Sequence, residues 1–178
     1  MARPSARPAI IEAALHVIEE HGVAALTLDA VAAEAGVTKR GLIYHFPTKH
    51  DLITGIHTHL AGQAEATMRR ALGKDPAEAT ERERTIAYVR ATTATPTRLD
   101  LRLMAEGAHE PDWVAPWVRL SERWFPEDGD AGSDERTLLC LIARMAADGL
   151  WGYDVTPGVT LPQALRERVI ERIIELVD

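Results

Sequence analysis

One stretch narrows what this chain can fold into more than any other. Ala35 to His50, AGVTKRGLIYHFPTKH, is sixteen residues without an Asp or Glu in a chain of formal net charge −7. It holds Lys39, Arg40 and Lys49, with His45, His50 and Tyr44 among them. Just upstream, Leu28 to Ala35 reads as a short helix with Val31, Ala32 and Ala35 on one face. Gly36 then supplies the residue most easily placed in a left-handed conformation, which ends that helix and turns the chain. Thr38 is suited to cap a second helix, and Leu42, Ile43 and Phe46 give it an apolar, packing side at helical spacing. Pro47 closes it, because the residue before a proline is pushed out of the helical region. Two short helices joined by a tight glycine turn, the second with a basic and aromatic polar face, predict a helix-turn-helix. Its second helix would lie in the major groove of double-stranded DNA.

Charge is divided to match. Residues 1–50 hold five Lys/Arg and five Asp/Glu, whereas residues 51–178 hold 15 and 22, so the net charge of −7 sits in the second part. A small head that meets a polyanion on a body that repels it fits this asymmetry. At 178 residues with 46% apolar content the chain has ample material for a core. A lone cysteine, Cys140, sits amid Leu138, Leu139, Leu141 and Ile142 and reads as a buried thiol; it excludes an intrachain disulfide framework and suits a cytoplasmic protein. No signal peptide and no uncharged stretch long enough to span a bilayer are visible.

The remaining residues read as helices. Arg3 and Arg7 belong to a basic arm, Pro8 suits a first helical turn, and Ile10, Ile11, Ala14, Leu15 and Ile18 form a stripe that Gly22 ends. Thr27 caps the next helix. Thr48 and Asp51 open a fourth, along which Leu52, Ile53, Ile56, Leu60, Ala64, Met68 and Leu72 run toward Gly73. Asp75-Pro76 predicts a further helix start, and Thr97 to Asp100 another. Trp113, Trp117, Leu120 and Trp124 follow at spacings of four, three and four, on one helical face, with Pro116 interrupting or near the start. Ser133 is the predicted start of a helix reaching about Trp151, with Tyr153 to Pro162 a loop. In the last helix Leu165, Val169, Ile173 and Leu176 form one line. The two final helices carry more apolar surface than one core face needs, which predicts pairing with a second copy of the chain in a four-helix bundle; simple burial is the alternative.

Catalytic and metal chemistry find little support. Ser, Cys and His form no recognisable nucleophile–base motif, and Asp128 and Asp130 fall in a predicted surface loop, so the chain is not expected to be an enzyme. His57 and His59 point to different sides of their helix, and the PEDGDAGS loop does not match a calcium site; no metal or cofactor is expected.

The run Thr27-Leu28, Val31-Ala32, Ala35-Gly36-Val37-Thr38-Lys39, Leu42-Ile43-Tyr44-His45-Phe46 and Lys49 resembles the signature of TetR-type transcriptional repressors. Gly41 to Pro47, Pro111 to Trp124 and Ala146 to Leu150 resemble a small multidrug-sensing subgroup. The resemblance implies an all-α fold with a three-helix DNA-binding head at residues 1–47 and a helical ligand-binding and dimerisation body at 48–178. It implies DNA contacts from Thr27, Thr38, Lys39, Arg40, Gly41, Tyr44, His45 and Lys49, although many relatives have a small residue at the position of Arg40 and an aromatic contact at that of Ile43. Lys39 and Arg40 suit guanine N7 and O6, and Lys49 suits a phosphate. For the body, Met68, Met104, Trp113, Trp117, Asp148 and Trp151 are the candidate ligand-binding residues; Trp124, Glu65 and Glu106 are further ones. Flat or flexible apolar groups suit an adaptable site, and acids offset a cation. The expected function is a dimeric, ligand-responsive repressor of a palindromic operator, released by a lipophilic cation and controlling a transporter gene. The alternative is a regulator that answers another metabolite or none.

Overall fold

In the computed structural model, which describes residues 6–94, 97–107, 110–126 and 134–178, every regular element among those residues is a helix. The chain divides into two compact units, Met1–Ala61 with Arg102–Trp117, and Gly62–Leu101 with Val118–Asp178.

In the first unit, α1 (Arg7–His21) starts with Pro8 in its first turn and stops at Gly22, whose φ of +81° lets its N–H bond Ile18 O at 2.9 Å. A single 3-10 turn, Val23–Ala25, leads to α2 (Leu28–Glu34) and α3 (Lys39–His45). The first part of α4 (Lys49–Leu72) closes the group; the end of α6 (Arg98–Gly107) and the start of α7 (Pro111–Trp124) belong with it. Ile10, Ile18, Leu26, Val31, Leu42, Phe46, Leu52 and Ile56 are buried together in this unit's core. Arg102 donates to the carbonyls of Ile18 and Glu19, placing a cation at the C-terminal end of α1, where the helix dipole favours it.

In the second unit, α5 (Glu81–Thr92), α8 (Glu135–Val155) and α9 (Gln163–Glu175) enclose a core of Val89, Cys140, Ala143, Ala147, Leu150, Ile173 and Val177. Cys140 is buried there, and burial pushes its thiol pKa up. Arg166 ties the group, bonding Asp154 at 2.8 Å and the carbonyl of Thr93.

Several elements differ from expectation. Asp75-Pro76 opens only a 3-10 turn, Pro76–Glu78; α5 begins after Thr80, which shares a reciprocal capping box with Glu83. Glu83 also pairs with Lys74, whose Nζ lies 2.8 Å from it, and these bonds, Lys74's first, pull its carboxyl down to about 2. The α8 helix continues to Val155, so Tyr153–Val155 is helical rather than loop. Asp134 caps α8 through Arg136 N–H; Ser133, the expected start, lies outside the described residues, as do Asp128, Asp130 and Arg3. Pro116 sits buried near the start of α7 without ending it. Ile173, read as an interface residue, packs inside the second unit's own core. No described helix is long and apolar enough to cross a membrane.

Candidate nucleic-acid interface

Local capping chemistry sets the α2–turn–α3 geometry. Thr27 accepts from Ala30 N–H at 3.1 Å and fixes the start of α2. Its end is closed twice: Gly36, at φ +62°, bonds Ala33 O at 3.2 Å, and Val37 N–H bonds Ala32 O at 3.0 Å. This nested pair is a Schellman stop, and it needs the left-handed glycine. Thr38 then accepts from Gly41 N–H at 3.1 Å to start α3. Gly41 suits that spot, since a Cβ there would stand 3.2 Å from Thr38 Oγ1.

The inward side of α3 is Leu42, with Phe46 at its C-cap, both buried. Ile43 does not pack as expected: it stands one residue, or 100°, from Leu42 and is 38% exposed. Arg40 and Tyr44, one turn apart, face out with it, Tyr44 being 84% exposed. The ring of His45 meets that of Tyr44 edge to face at 5.1 Å. Lys39 Nζ lies 2.9 Å from Asp29 Oδ2, an exposed pair across the turn that sequence reading missed. Such a pair is weak, about 0–1 kcal/mol, so a phosphate or base can replace Asp29 at little cost. Lys49 is exposed at the first position of α4, whose start is fixed by reciprocal bonds between Thr48 and Asp51. His50, also in the acid-free stretch, instead meets Asp112 Oδ2 at 3.1 Å.

The candidate ligand residues fall in two groups. In the first unit Trp113 and Trp117 are half-buried beside His57, which sequence reading considered only as a metal ligand; Met104 is 56% exposed. In the second unit Met68 is buried, Trp151 is half-buried, and Asp148 accepts from the hydroxyl of Tyr88. Crowding of protein atoms around the Asp148 carboxyl raises its pKa despite the residue's exposed position on α8. Burial, then the charge of Asp148, drives that of Tyr88 well above the usual phenol range. Trp124 is fully buried core. Glu65 is already paired, with Arg69 at 2.9 Å and Arg123 at 2.7 Å; partial burial opposes ionisation, but these bonds outweigh it and lower the pKa. The side chain of Glu106 lies outside the described residues.

Residues 82–178 match the family described as tetracyclin repressor-like, C-terminal domain, and residues 10–56 match the bacterial regulatory proteins of the tetR family. The chain belongs to the TetR family. It is similar to the HTH-type transcriptional regulator BetI of Rhizobium meliloti (strain 1021), at 27% identity over 175 residues, 98% of this chain and 75% of the relative. Among solved structures it is similar to the multidrug binding protein EbrR complexed with imidazole (TM-score 0.62, 22% identity, 99% and 97% of the two chains). It is also similar to a protein from Saccharomonospora viridis described as a transcriptional regulator, in complex with choline (TM-score 0.70, 19% identity, 98% and 96%). At these identities the structural likeness speaks for the fold. As a TetR-family member the chain is a DNA-binding transcriptional regulator, in a family of regulators rather than enzymes.

Proposed function

We propose that the protein is a homodimeric cytoplasmic repressor of a palindromic operator, released by a lipophilic organic cation and controlling a transporter gene. In this reading residues 1–47 are the DNA-binding head and residues 48–178 the ligand-binding and dimerisation body. Lys39 and Arg40 read base edges, while Gly41 lets the backbone approach the duplex. Tyr44 and His45 contact backbone and bases, and Thr27, Thr38 and Lys49 hold phosphates, the last with the N-terminus of α4. The observation that carries this part is the outward face of α3, basic and aromatic, free of acids from Ala35 to His50.

Lys39→Ala is expected to lower operator affinity by about 1–3 kcal/mol and relax sequence preference, as loss of a bidentate base contact does. Lys49→Ala should instead weaken all sequences alike and reduce the salt slope by about one. Anisotropy titrations on operator and scrambled DNA at several salt concentrations separate the two; unchanged preference in Lys39→Ala removes it from the base-reading set.

For the effector, the observation is the aromatic set on α7, with Trp113 and Trp117 half-buried and so still able to offer ring faces to a guest. Met104 supplies further adaptable apolar surface in the first unit; Met68, Trp151 and the carboxylate of Asp148 are the candidates of the second unit. The choline and imidazole in the two similar structures are a cation and a readily protonated ring, in keeping with a cationic guest. A ligand releases DNA only by binding one conformation better than the other, since equal affinity shifts nothing. Trp117→Ala should leave operator affinity within about threefold and abolish release by ethidium. Melts decide whether the variant is intact: a fall of about 3–5 kcal/mol in stability with lost DNA binding marks Trp117 as core instead. Normal release by ethidium removes Trp117 from the effector site.

A further inference from the structure

His57, on α4 in the first unit, is 3% exposed. Its Nδ1 lies 3.2 Å from Nε1 of Trp117. An indole N–H can only donate, so Nδ1 carries the lone pair, and the neutral ring holds its proton on Nε2. Burial lowers the His57 pKa and so favours the same neutral form. That Nε2 is buried and finds no acceptor in the protein. The ring stacks on Trp113, with centroids 6.2 Å apart and planes inclined by 13°. Nε1 of Trp113, again only a donor, is likewise buried without an acceptor. Trp113 also packs against His50 at 5.6 Å, and His50 in turn engages the carboxylate of Asp112. Two adjacent stacked rings therefore present two buried donors without acceptors, whereas nearly all buried donors in folded proteins are paired.

We propose that His57 Nε2–H and Trp113 Nε1–H form a donor pair for a carbonyl-type oxygen on the small-molecule effector, with the rings of Trp113 and Trp117 covering its apolar part. The inference rests on the effector reading above and adds a requirement that a positive charge alone does not meet. A guest bearing both features would be held at one end by aromatic faces and at the other by neutral hydrogen bonds. Because His57 stays neutral, its ring donates without repelling a cation.

Three probes of equal length separate these contributions. Acetylcholine carries a cation and an ester carbonyl, pentyltrimethylammonium the cation alone, and 3,3-dimethylbutyl acetate the ester alone. Each is titrated into the full-length nitrogen-15-labelled protein while the imidazole and indole N–H signals are followed. Both esters are expected to move the His57 and Trp113 signals, and pentyltrimethylammonium to leave them in place. Acetylcholine should bind about tenfold more tightly than pentyltrimethylammonium, the worth of two neutral hydrogen bonds made in exchange for water. In His57→Phe, which keeps the stacked ring but removes one donor of the pair, that ratio should fall by about half on a logarithmic scale. If this variant does not fold, Trp113→Phe removes one donor and leaves no new unpaired group, and the ratio should fall by about half on a logarithmic scale. Equal binding of the two cations with both signals still would overturn the donor pair and leave the cationic effector standing. Binding of the neutral ester with both signals moved, and none of pentyltrimethylammonium, would keep the pair and overturn the cationic effector. No response to either ester, or a long-lived water on His57 Nε2–H that saturating ester does not displace, would mean that the donors serve no ligand.

Discussion

Leu141→Glu with Met145→Glu is expected to yield folded monomers that bind the operator about a thousandfold more weakly than the wild type. The reason lies in the two stripes of α8. Cys140, Ala143, Ala147 and Leu150 recur at spacings of three and four and lie in the second unit's core. Leu138, Leu141, Ile142 and Met145 recur likewise on another side and are exposed, Met145 by 64%. On α9, Leu165 and Leu176 are exposed too. A lone protomer gains nothing from such a stripe, and an apolar band of this kind marks an interaction site. In the proposed homodimer a second copy covers it and buries each stripe on its twin. Two glutamates there leave charges buried without partners in the dimer but solvated in the monomer, so association is lost and folding is spared. A monomer keeps one half-site, and the specific contacts of the other are gone; specific sites bind about 10³–10⁷ more tightly than random DNA. Light scattering at micromolar concentration and operator titrations check both parts. A doubly substituted protein that is still dimeric would place the interface elsewhere.

Ile173→Asp tests a different property. Ile173 lies on the same helical line as Leu165, Val169 and Leu176, and sequence periodicity cannot tell which of these face their own protomer. In the fold Ile173 is 5% exposed and belongs to the core with Val89 and Ala147. A charge there destabilises the protomer itself. This contrast shows what was legible in the chain. Thr27, Gly36 and Thr38 act through bonds to residues one to four positions away, so their types and spacing settle their roles. The same holds for the Thr48–Asp51 start of α4. Asp75-Pro76 misled because a strong cap begins any turn, and only the following Thr80–Glu83 box continues into a helix. Asp29, His57 and Gly55 acquire their meaning from Lys39, Trp117 and Phe46 respectively, partners brought near by folding. A histidine on an apolar helix face carries no sign of what will stack on it.

Phe46→Ala should cost the head about 3–5 kcal/mol and abolish operator binding, and Gly55→Ala should injure it through the same contact from the other side. Phe46, the residue that ends α3, is 1% exposed. Arg7 lies over its ring, 4.9 Å from the centroid. A Cβ built on Gly55 would come to 2.5 Å from Cε1 and 3.2 Å from Cζ of that ring, so the glycine in α4 is the floor on which Phe46 rests. On helix propensity alone Gly55→Ala stabilises by about 1 kcal/mol. Against this, overpacking a filled core costs about 1–3 kcal/mol, and a buried ring has little room to swing aside. The clash therefore wins, and either the ring or the α4 backbone shifts. Because α3 ends at Phe46 and α4 begins three residues later, a shift of either displaces Tyr44 and Lys49 relative to each other. The measurable consequence is a loss of operator affinity of about tenfold or more alongside a lowered melting temperature, a loss of order 1.4 kcal/mol. Phe46→Leu in the Gly55→Ala background frees the space and should recover part of both. A Gly55→Ala protein that melts higher than the wild type with normal operator affinity would show that the ring does not hold α3 against α4.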